Sequence, residues 1–326
     1  MKRIQLREAA KAMMASLGQR FLKTKLQDGR MAVSFDRESL AVAHVCRRPG
    51  QKPEVLMLRS EQRGAGDLFV LRGLARSHGL GQCHSTLLLN PDEYHLLQIE
   101  LPAVPPDEMK EAVRWKIKDM VDFPVEGLTI DLAEVPDIAG RTGRVRQGLV
   151  AAAGDALIAE QMSLFDSAGV TLEVIDIPEM AIRNIAALFE ETDRGLAVLV
   201  VDEERALLIF TFRDELYAVR QIEINRSKLE EAEGEWRQQL FDRIGLEMQR
   251  SLDNFERLHS HINVTRVMLA PLPTVPGLVD YLREYLSLPV SEMDLAEVLD
   301  FSLVPELSQP ARQAQYLKTL GAALRE

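Results

Sequence analysis

The 326-residue sequence predicts a duplicated α/β fold in which mixed sheets flank a cleft. A hairpin, a third strand and then helices occur over residues 31–90 and again from residue 195 onward. Hairpins pair strands antiparallel, whereas strands joined through a helix pair parallel, so each sheet should contain both kinds of pairing. The predicted domains are residues 30–193, which include a small inserted α+β subdomain at about 90–170, and residues 194–326.

The first copy begins with the hairpin "MAVSFDRESLAVAHV" at residues 31–45, whose two apolar runs surround a polar Asp-Arg-Glu-Ser turn. Residues 54–62 predict a third strand, residues 67–80 a helix and residues 84–90 a further strand. The first copy is therefore a sheet that starts with a hairpin and continues through a helix.

The insertion and its continuation alternate strands with helices. The predicted strands are residues 93–101, 128–137, 146–154 and 170–178, and the predicted helices are a segment ending at 121 and residues 155–169 and 178–191. Gly169 follows the second of these helices, where a C-cap glycine is preferred.

The second copy repeats the plan of the first. Residues 195–214 form a hairpin around the turn Asp-Glu-Glu-Arg, and "ELYAVRQIEI" adds a third strand. Helices are predicted over 227–262, 276–286 and 310–324, with a strand at 266–270.

Composition and charge restrict the class of protein. Hydrophobic residues make up 46% and charged residues 27%, as in soluble globular proteins, and no apolar run approaches the length that spans a bilayer. Cys46 and Cys83 are isolated, which predicts neither a disulfide framework nor a metal site. A net charge of −11 argues against nucleic-acid binding. These features predict a cytoplasmic protein.

Residues 1–29 form a separate basic segment before the first copy. Seven basic residues against two acidic ones give it a net charge of +5 (7 − 2), and its apolar residues follow a loose helical stripe. A basic amphipathic helix can contact an anionic membrane surface or an acidic partner. The alternative is a solvated or self-packed helix.

The helix that ends at 121 carries a tryptophan beside its apolar stripe. Val113, Ile117, Met120 and Val121 supply that stripe, and Trp115 lies off it. The rigid apolar turn Phe123-Pro124 follows. These aromatic residues either pack between subdomains or form a peptide groove, with Arg114 at its rim.

Three stretches resemble the PilM family of type IV pilus assembly proteins, in particular its MshI-like branch from mannose-sensitive haemagglutinin (MSHA) pili. They are "LPAVPPDEMKEAVRWKIKDMVDFPVEGLTIDL" (101–132), "IGLEMQRSLDNFERLHSHINVTRVMLA" (244–270) and "YLKTLGAALRE" (316–326). The resemblance covers the chain from about residue 30. It implies an actin-like (ribonuclease H-like) fold with the nucleotide cleft between the duplicated domains.

In ATP-binding members of that superfamily, both hairpin turns carry Asp-x-Gly and a late strand ends in Gly-Gly. Glycine lets backbone N–H groups approach phosphate oxygens, and the aspartates hold magnesium. Carried over to this sequence, these positions depart from the pattern. The corresponding residues are Ser34 and Asp36 in the first turn, Asp202 and Glu204 in the second, and Pro271 and Leu272 after the late strand.

These departures predict a vestigial cleft. Proline has no N–H to donate, and a carboxylate about 4 Å from a phosphate charge costs about 4 kcal/mol at an effective dielectric constant of about 20. We therefore expect no catalytic residues and no cofactor. The alternative is an altered ATPase in which Asp36 and Asp202 still hold a metal with ATP.

The resemblance implies a scaffold in the inner-membrane platform that assembles the pilus. Its implied partner is a PilN/MshJ-like bitopic membrane protein, whose cytoplasmic N-terminal segment would enter a groove between the first sheet and the inserted subdomain. A pilus motor ATPase is a second possible partner. An actin-like cytoskeletal or division element is the remaining alternative.

Overall fold

The computed structural model describes residues 28–122, 127–136 and 146–325. The predicted basic helix at residues 1–29 lies outside the described residues except for its last two. Internal contacts divide the chain into two compact units. The first comprises the residues up to Ala181 together with those from Lys318 onward, and the second is Ile182–Leu317.

The described part of the first unit contains eight strands. They are Arg30–Phe35 (β1), Ser39–Cys46 (β2), Glu54–Gln62 (β3), His84–Leu88 (β4), Tyr94–Glu100 (β5), Leu128–Glu134 (β6), Gln147–Gly154 (β7) and Leu172–Asp176 (β8). Its helices are Asp67–His78 (α1), Met109–Ile117 (α2) and Asp155–Ala168 (α3).

Five of these strands form one mixed sheet in the order β3-β2-β1-β4-β8. The pairs β1–β2 and β2–β3 are antiparallel, and β1–β4 and β4–β8 are parallel. Helices α1 and α3 pack against each other beside this sheet. Gly169 ends α3 with a φ of 75°, so the predicted C-cap is confirmed.

The remaining three strands make the inserted antiparallel sheet, in the order β5-β7-β6. Helix α2 covers this sheet with Met109, Val113 and Ile117, which belong to one buried cluster with residues of all three strands. The helix ends at Ile117, and Met120 beyond it is 49% exposed, so its predicted place on the apolar face is wrong.

The second unit has a five-stranded mixed sheet of its own. Its strands are Gly195–Val201 (β9), Ala206–Phe212 (β10), Glu215–Ile222 (β11), Val264–Leu269 (β12) and Val290–Glu292 (β13), in the order β11-β10-β9-β12-β13. Every residue of β9 and β10 is buried, as expected for central strands covered on both faces.

The helices that follow are Arg226–Glu231 (α5), Gly234–Leu258 (α6) and Leu278–Tyr285 (α7), while Pro178–Phe189 (α4) and Pro310–Ala323 (α8) each contain a boundary between the units. The predicted duplicated α/β class with mixed sheets is confirmed. No helix in the described ranges is long and apolar enough to cross a membrane.

Candidate functional site

Ser34, near the end of β1, and Asp36, in the β1–β2 turn, are the first pair of positions that correspond to nucleotide-binding residues of ATPases with this fold. The Ser34 hydroxyl lies 2.7 Å from the hydroxyl of Thr319 on α8. Asp36 is exposed, and its N–H donates to the carbonyl of Ser39 at 2.7 Å. The Arg63 guanidinium donates to the carbonyl of Asp36. The turn is therefore closed by its own main chain and supported by a neighbouring arginine.

The β9–β10 turn contains Asp202 and Glu204, the second pair of positions that correspond to nucleotide-binding residues. One carboxylate oxygen of Asp202 accepts the N–H of Glu203 at 2.9 Å, and its main-chain N–H donates to the Arg205 carbonyl at 3.0 Å. Arg226 donates its N–H to the Asp202 carbonyl, and its guanidinium lies 3.1 Å from the Glu203 carboxylate. Glu204 is exposed beside them. The Asp202 carboxylate thus helps to hold its own turn.

The segment after β12 contains the third pair of positions that correspond to nucleotide-binding residues. Pro271 and Leu272 are half-buried, and the Leu272 carbonyl accepts the N–H of Val275 at 3.2 Å. Because Pro271 has no N–H, this segment lacks a donor that a phosphate-binding glycine would supply. In the described part of the chain, no three His, Cys, Asp or Glu side chains group in a way that could hold a metal ion.

Helix α2 exposes a different kind of surface. Trp115 is 57% exposed, so the alternative in which this side chain packs in the core is wrong. Its role in a peptide groove stays a prediction. Its indole N–H donates to a carboxylate oxygen of Glu111 at 3.0 Å, and the Lys118 ammonium lies 5.9 Å from its ring centroid. These contacts orient the indole across the helix surface, where it presents a large apolar area to solvent.

Arg114 lies next to this tryptophan in a less exposed position. Its Nε is buried and has no hydrogen-bond partner among the described residues. A buried donor of this kind favours binding of an acceptor, either a main-chain carbonyl or a carboxylate. The other two predicted partner residues, Phe123 and Pro124, lie outside the described residues.

The sequence did not indicate a buried polar group that joins the C-terminal residues to the first sheet. Arg325 donates to the Asp176 carboxylate, and Arg30 and Arg47 donate to the carbonyls of Arg325 and Leu324. Arg325 and Asp176 are 149 residues apart. No local spacing could have paired them.

Together these elements define a chain with a duplicated α/β, actin-like architecture. The chain is similar over 93% of its length to a solved structure described as the PilM–PilN type IV pilus biogenesis complex. That similarity covers 99% of the other chain, with 20% identity and a TM-score of 0.68. At 20% identity, this similarity shows that the two chains share a fold.

Two further structures are more distant. A Bacteroides thetaiotaomicron protein with an actin-like ATPase fold has 9% identity and a TM-score of 0.49, with 89% of this chain and 99% of that chain covered. The cytoplasmic domain of EpsL, from the type II secretion system of Vibrio cholerae, has 11% identity and a TM-score of 0.46, with 88% and 95% covered. No protein-family model and no curated protein matches the sequence.

Proposed function

We propose that the protein is a non-catalytic scaffold in the inner-membrane platform that assembles a type IV pilus of the MSHA kind. The observation that carries this proposal is the chemistry of the β9–β10 turn. There Glu203 and Glu204 follow Asp202, whose carboxylate caps its own turn. These groups repel a phosphate where an ATPase would donate N–H groups to it.

The other two places where an ATPase of this fold would bind the nucleotide also support a non-catalytic role. Ser34 replaces a magnesium-binding aspartate and pairs with Thr319, and Pro271 offers no N–H. The hairpins persist because the sheets need them. We infer a pseudo-ATPase without a cofactor.

The partner is a PilN/MshJ-like bitopic membrane protein that contributes its cytoplasmic N-terminal segment. The segment enters the groove between the first sheet and the inserted subdomain. Trp115 supplies an exposed apolar contact, and the buried Nε–H of Arg114 donates a hydrogen bond to a carbonyl or carboxylate of the segment. Phe123 and Pro124, which lie outside the described residues, belong to the same proposed partner site. A similar chain is described in complex with PilN, which supports this class of partner.

The protein acts in the cytoplasm, at the inner membrane, and is held there through its partners. The basic residues 1–29 add a contact with the membrane surface, and the pilus motor ATPase is a second partner. In this arrangement the scaffold links the cytosolic motor to the envelope proteins mechanically.

A pull-down tests the proposal. The full-length protein is incubated with an immobilised N-terminal peptide of a PilN/MshJ-like protein, with and without magnesium-ATP, and with a scrambled peptide as control. We expect capture by the native peptide alone and equal capture in both nucleotide conditions. Equal capture by the scrambled peptide, or capture that requires ATP, would contradict the proposal.

A further inference from the structure

The second unit contains an open cavity of about 430 Å³ between α6, the start of β12 and the segment that precedes β13. Its wall combines aliphatic side chains with carboxylates and small polar groups. The residues that matter here are Leu252, Asp253, Glu256, Val264, Ser287 and Leu288. A cavity of this size falls in the range of sites that hold a small ligand or a few residues of a peptide.

The cavity lies where the pairing of β12 with β13 stops. The pairing joins Val267 to Val290 and continues only toward the C-terminal ends of the strands. In the same register Ser287 would stand opposite Val264 (290 − 267 = 287 − 264 = 23), yet both residues line the cavity. Pro289 comes directly before β13 and has no N–H for a longer ladder. One side of Val264 therefore has no strand neighbour in the described residues.

The charged groups on the α6 side of the cavity are acidic. Asp253 accepts a hydrogen bond from the side chain of Gln249 at 2.7 Å, and Glu256 is exposed and forms no ion pair within the described residues. The neighbouring arginines are engaged elsewhere. Arg250 pairs with Glu247, and Arg257 donates to Asn254.

Each of the three walls of the cavity contributes one aliphatic side chain. Leu252 projects from α6, Val264 belongs to β12, and Leu288 precedes β13. All three are half-buried, so apolar surface is available to a ligand without opening the core of the unit.

We propose that this cavity binds a short extended segment of a partner protein in which a lysine or arginine alternates with aliphatic residues. The main chain of the segment lies along Val264, its basic side chains pair with Asp253 and Glu256, and its aliphatic side chains contact Val264 and Leu288. Alternation places the two kinds of side chain on opposite sides of an extended segment, so its basic side chains can face Asp253 and Glu256 on α6 while its aliphatic side chains face Val264 and Leu288. The site is independent of the proposed partner groove, because it lies entirely in the second unit.

Fluorescence anisotropy of the full-length protein tests this inference. The probe is a labelled peptide with the sequence Leu-Lys-Val-Lys-Leu, and the matched control replaces both lysines with glutamate. Spermidine serves as a competitor that has positive charge but no main chain. We expect the lysine peptide to bind and the glutamate peptide not to bind. Spermidine should displace the probe at least about tenfold less well than unlabelled peptide does.

Variants locate the binding. Asp253→Asn/Glu256→Gln should weaken the lysine peptide about tenfold, as expected for two partly exposed ion pairs, and Ser287→Trp should block the cavity. Glu233→Gln/Glu235→Gln removes the same charge from exposed positions outside the cavity and should leave binding unchanged. All of these residues are exposed, so circular dichroism should show unchanged folding. Absence of binding, equal displacement by spermidine, or affinity unchanged in both cavity variants would overturn the proposal.

Discussion

Arg325 forms a buried ion pair with Asp176, in which 3% of the arginine side chain and none of the aspartate side chain is exposed to solvent. The second carboxylate oxygen of Asp176 accepts the N–H of Ile177 at 3.0 Å. The pair joins the end of β8 to the residues that follow α8. These C-terminal residues therefore complete the first unit.

Removal of Arg325 should destabilise the protein strongly. Arg325→Met leaves the Asp176 carboxylate buried without its cation, which costs about 3–5 kcal/mol of unfolding free energy. Urea unfolding measures this loss. Arg312→Met, at an exposed position of α8, serves as the control and should change the free energy by less than about 0.5 kcal/mol.

Asp176→Asn combined with Arg325→Met distinguishes the ion pair from simple packing. The double variant should lose less stability than the sum of the two single variants, because neither charge then remains unpaired. Strictly additive losses would show that the two side chains act separately.

Asp131 makes stability depend on pH. Burial raises the pKa of Asp131 from 3.8 to about 6, and Lys110, 3.5 Å away, opposes part of this increase. At pH values between about 4 and about 6, Asp131 has lost its proton in the unfolded chain but still holds it in the folded protein. The contribution of Asp131 to stability therefore decreases as the pH rises from about 4 to about 6.

Asp131→Asn should remove this dependence. The variant should match the native protein near pH 4 and be more stable by up to about 3 kcal/mol at pH 7.5, as follows from a shift of about two pKa units. Urea unfolding at both pH values measures the difference. Glu160→Gln, on the exposed surface of α3, should change neither value. A constant difference between Asp131→Asn and the native protein would exclude titration of Asp131 as the cause.

The sequence predicted the elements that local patterns determine. The apolar runs of β9 and β10, the turn at Asp202 and the glycine cap at Gly169 all follow from neighbouring residues. The three-residue strand β13 is too short to produce a pattern.

Long-range contacts could not be predicted in the same way. Ser34 and Thr319 are 285 residues apart, and the Arg325 pair spans 149 residues. The exposure of Trp115 could not be predicted without knowing how α2 packs on the inserted sheet. The cavity beside Val264 could not be predicted without the register of β13, which no sequence pattern encodes.

The β10–β11 hairpin contains a strained turn that glycine should relieve. Arg213 and Asp214 have φ values of 49° and 60°, in the left-handed region that glycine favours. Asp214→Gly keeps the main-chain N–H that donates to Glu190 at 2.9 Å, and should raise the unfolding free energy by about 0.5–1 kcal/mol. Urea unfolding measures the gain.

Glu204→Gly is the matched control in the other hairpin turn. Glu204 has no left-handed φ, so glycine there only increases the freedom of the unfolded chain and should cost about 0.5–1 kcal/mol. Stabilisation by both glycines would mean that left-handed strain is not the cause.

Trp115 should matter for binding and little for stability. Because the side chain is exposed, Trp115→Ala should change the unfolding free energy by less than about 0.5 kcal/mol. As a central apolar contact it should contribute about 2 kcal/mol to capture of the PilN/MshJ-like peptide, which is about thirtyfold in affinity. Isothermal titration calorimetry with the peptide measures this loss.

Val113→Ala provides the opposite behaviour on the same helix. Val113 is fully buried, so its truncation should cost about 1–3 kcal/mol of stability while the surviving folded protein binds the peptide normally. A tryptophan variant with unchanged peptide affinity would remove Trp115 from the partner site.

Magnesium-ATP should not bind in the micromolar range, and isothermal titration calorimetry of the full-length protein measures this directly. The Asp202 carboxylate is engaged by the N–H of Glu203, and Glu203 itself pairs with Arg226. Glu203→Gln/Glu204→Gln removes the repulsion but supplies no glycine, so this variant should not bind ATP either. The ATPase alternative predicts the reverse, namely hydrolysis that Asp202→Ala abolishes. If binding appeared in the glutamine variant alone, repulsion rather than the missing glycine would be what keeps ATP out.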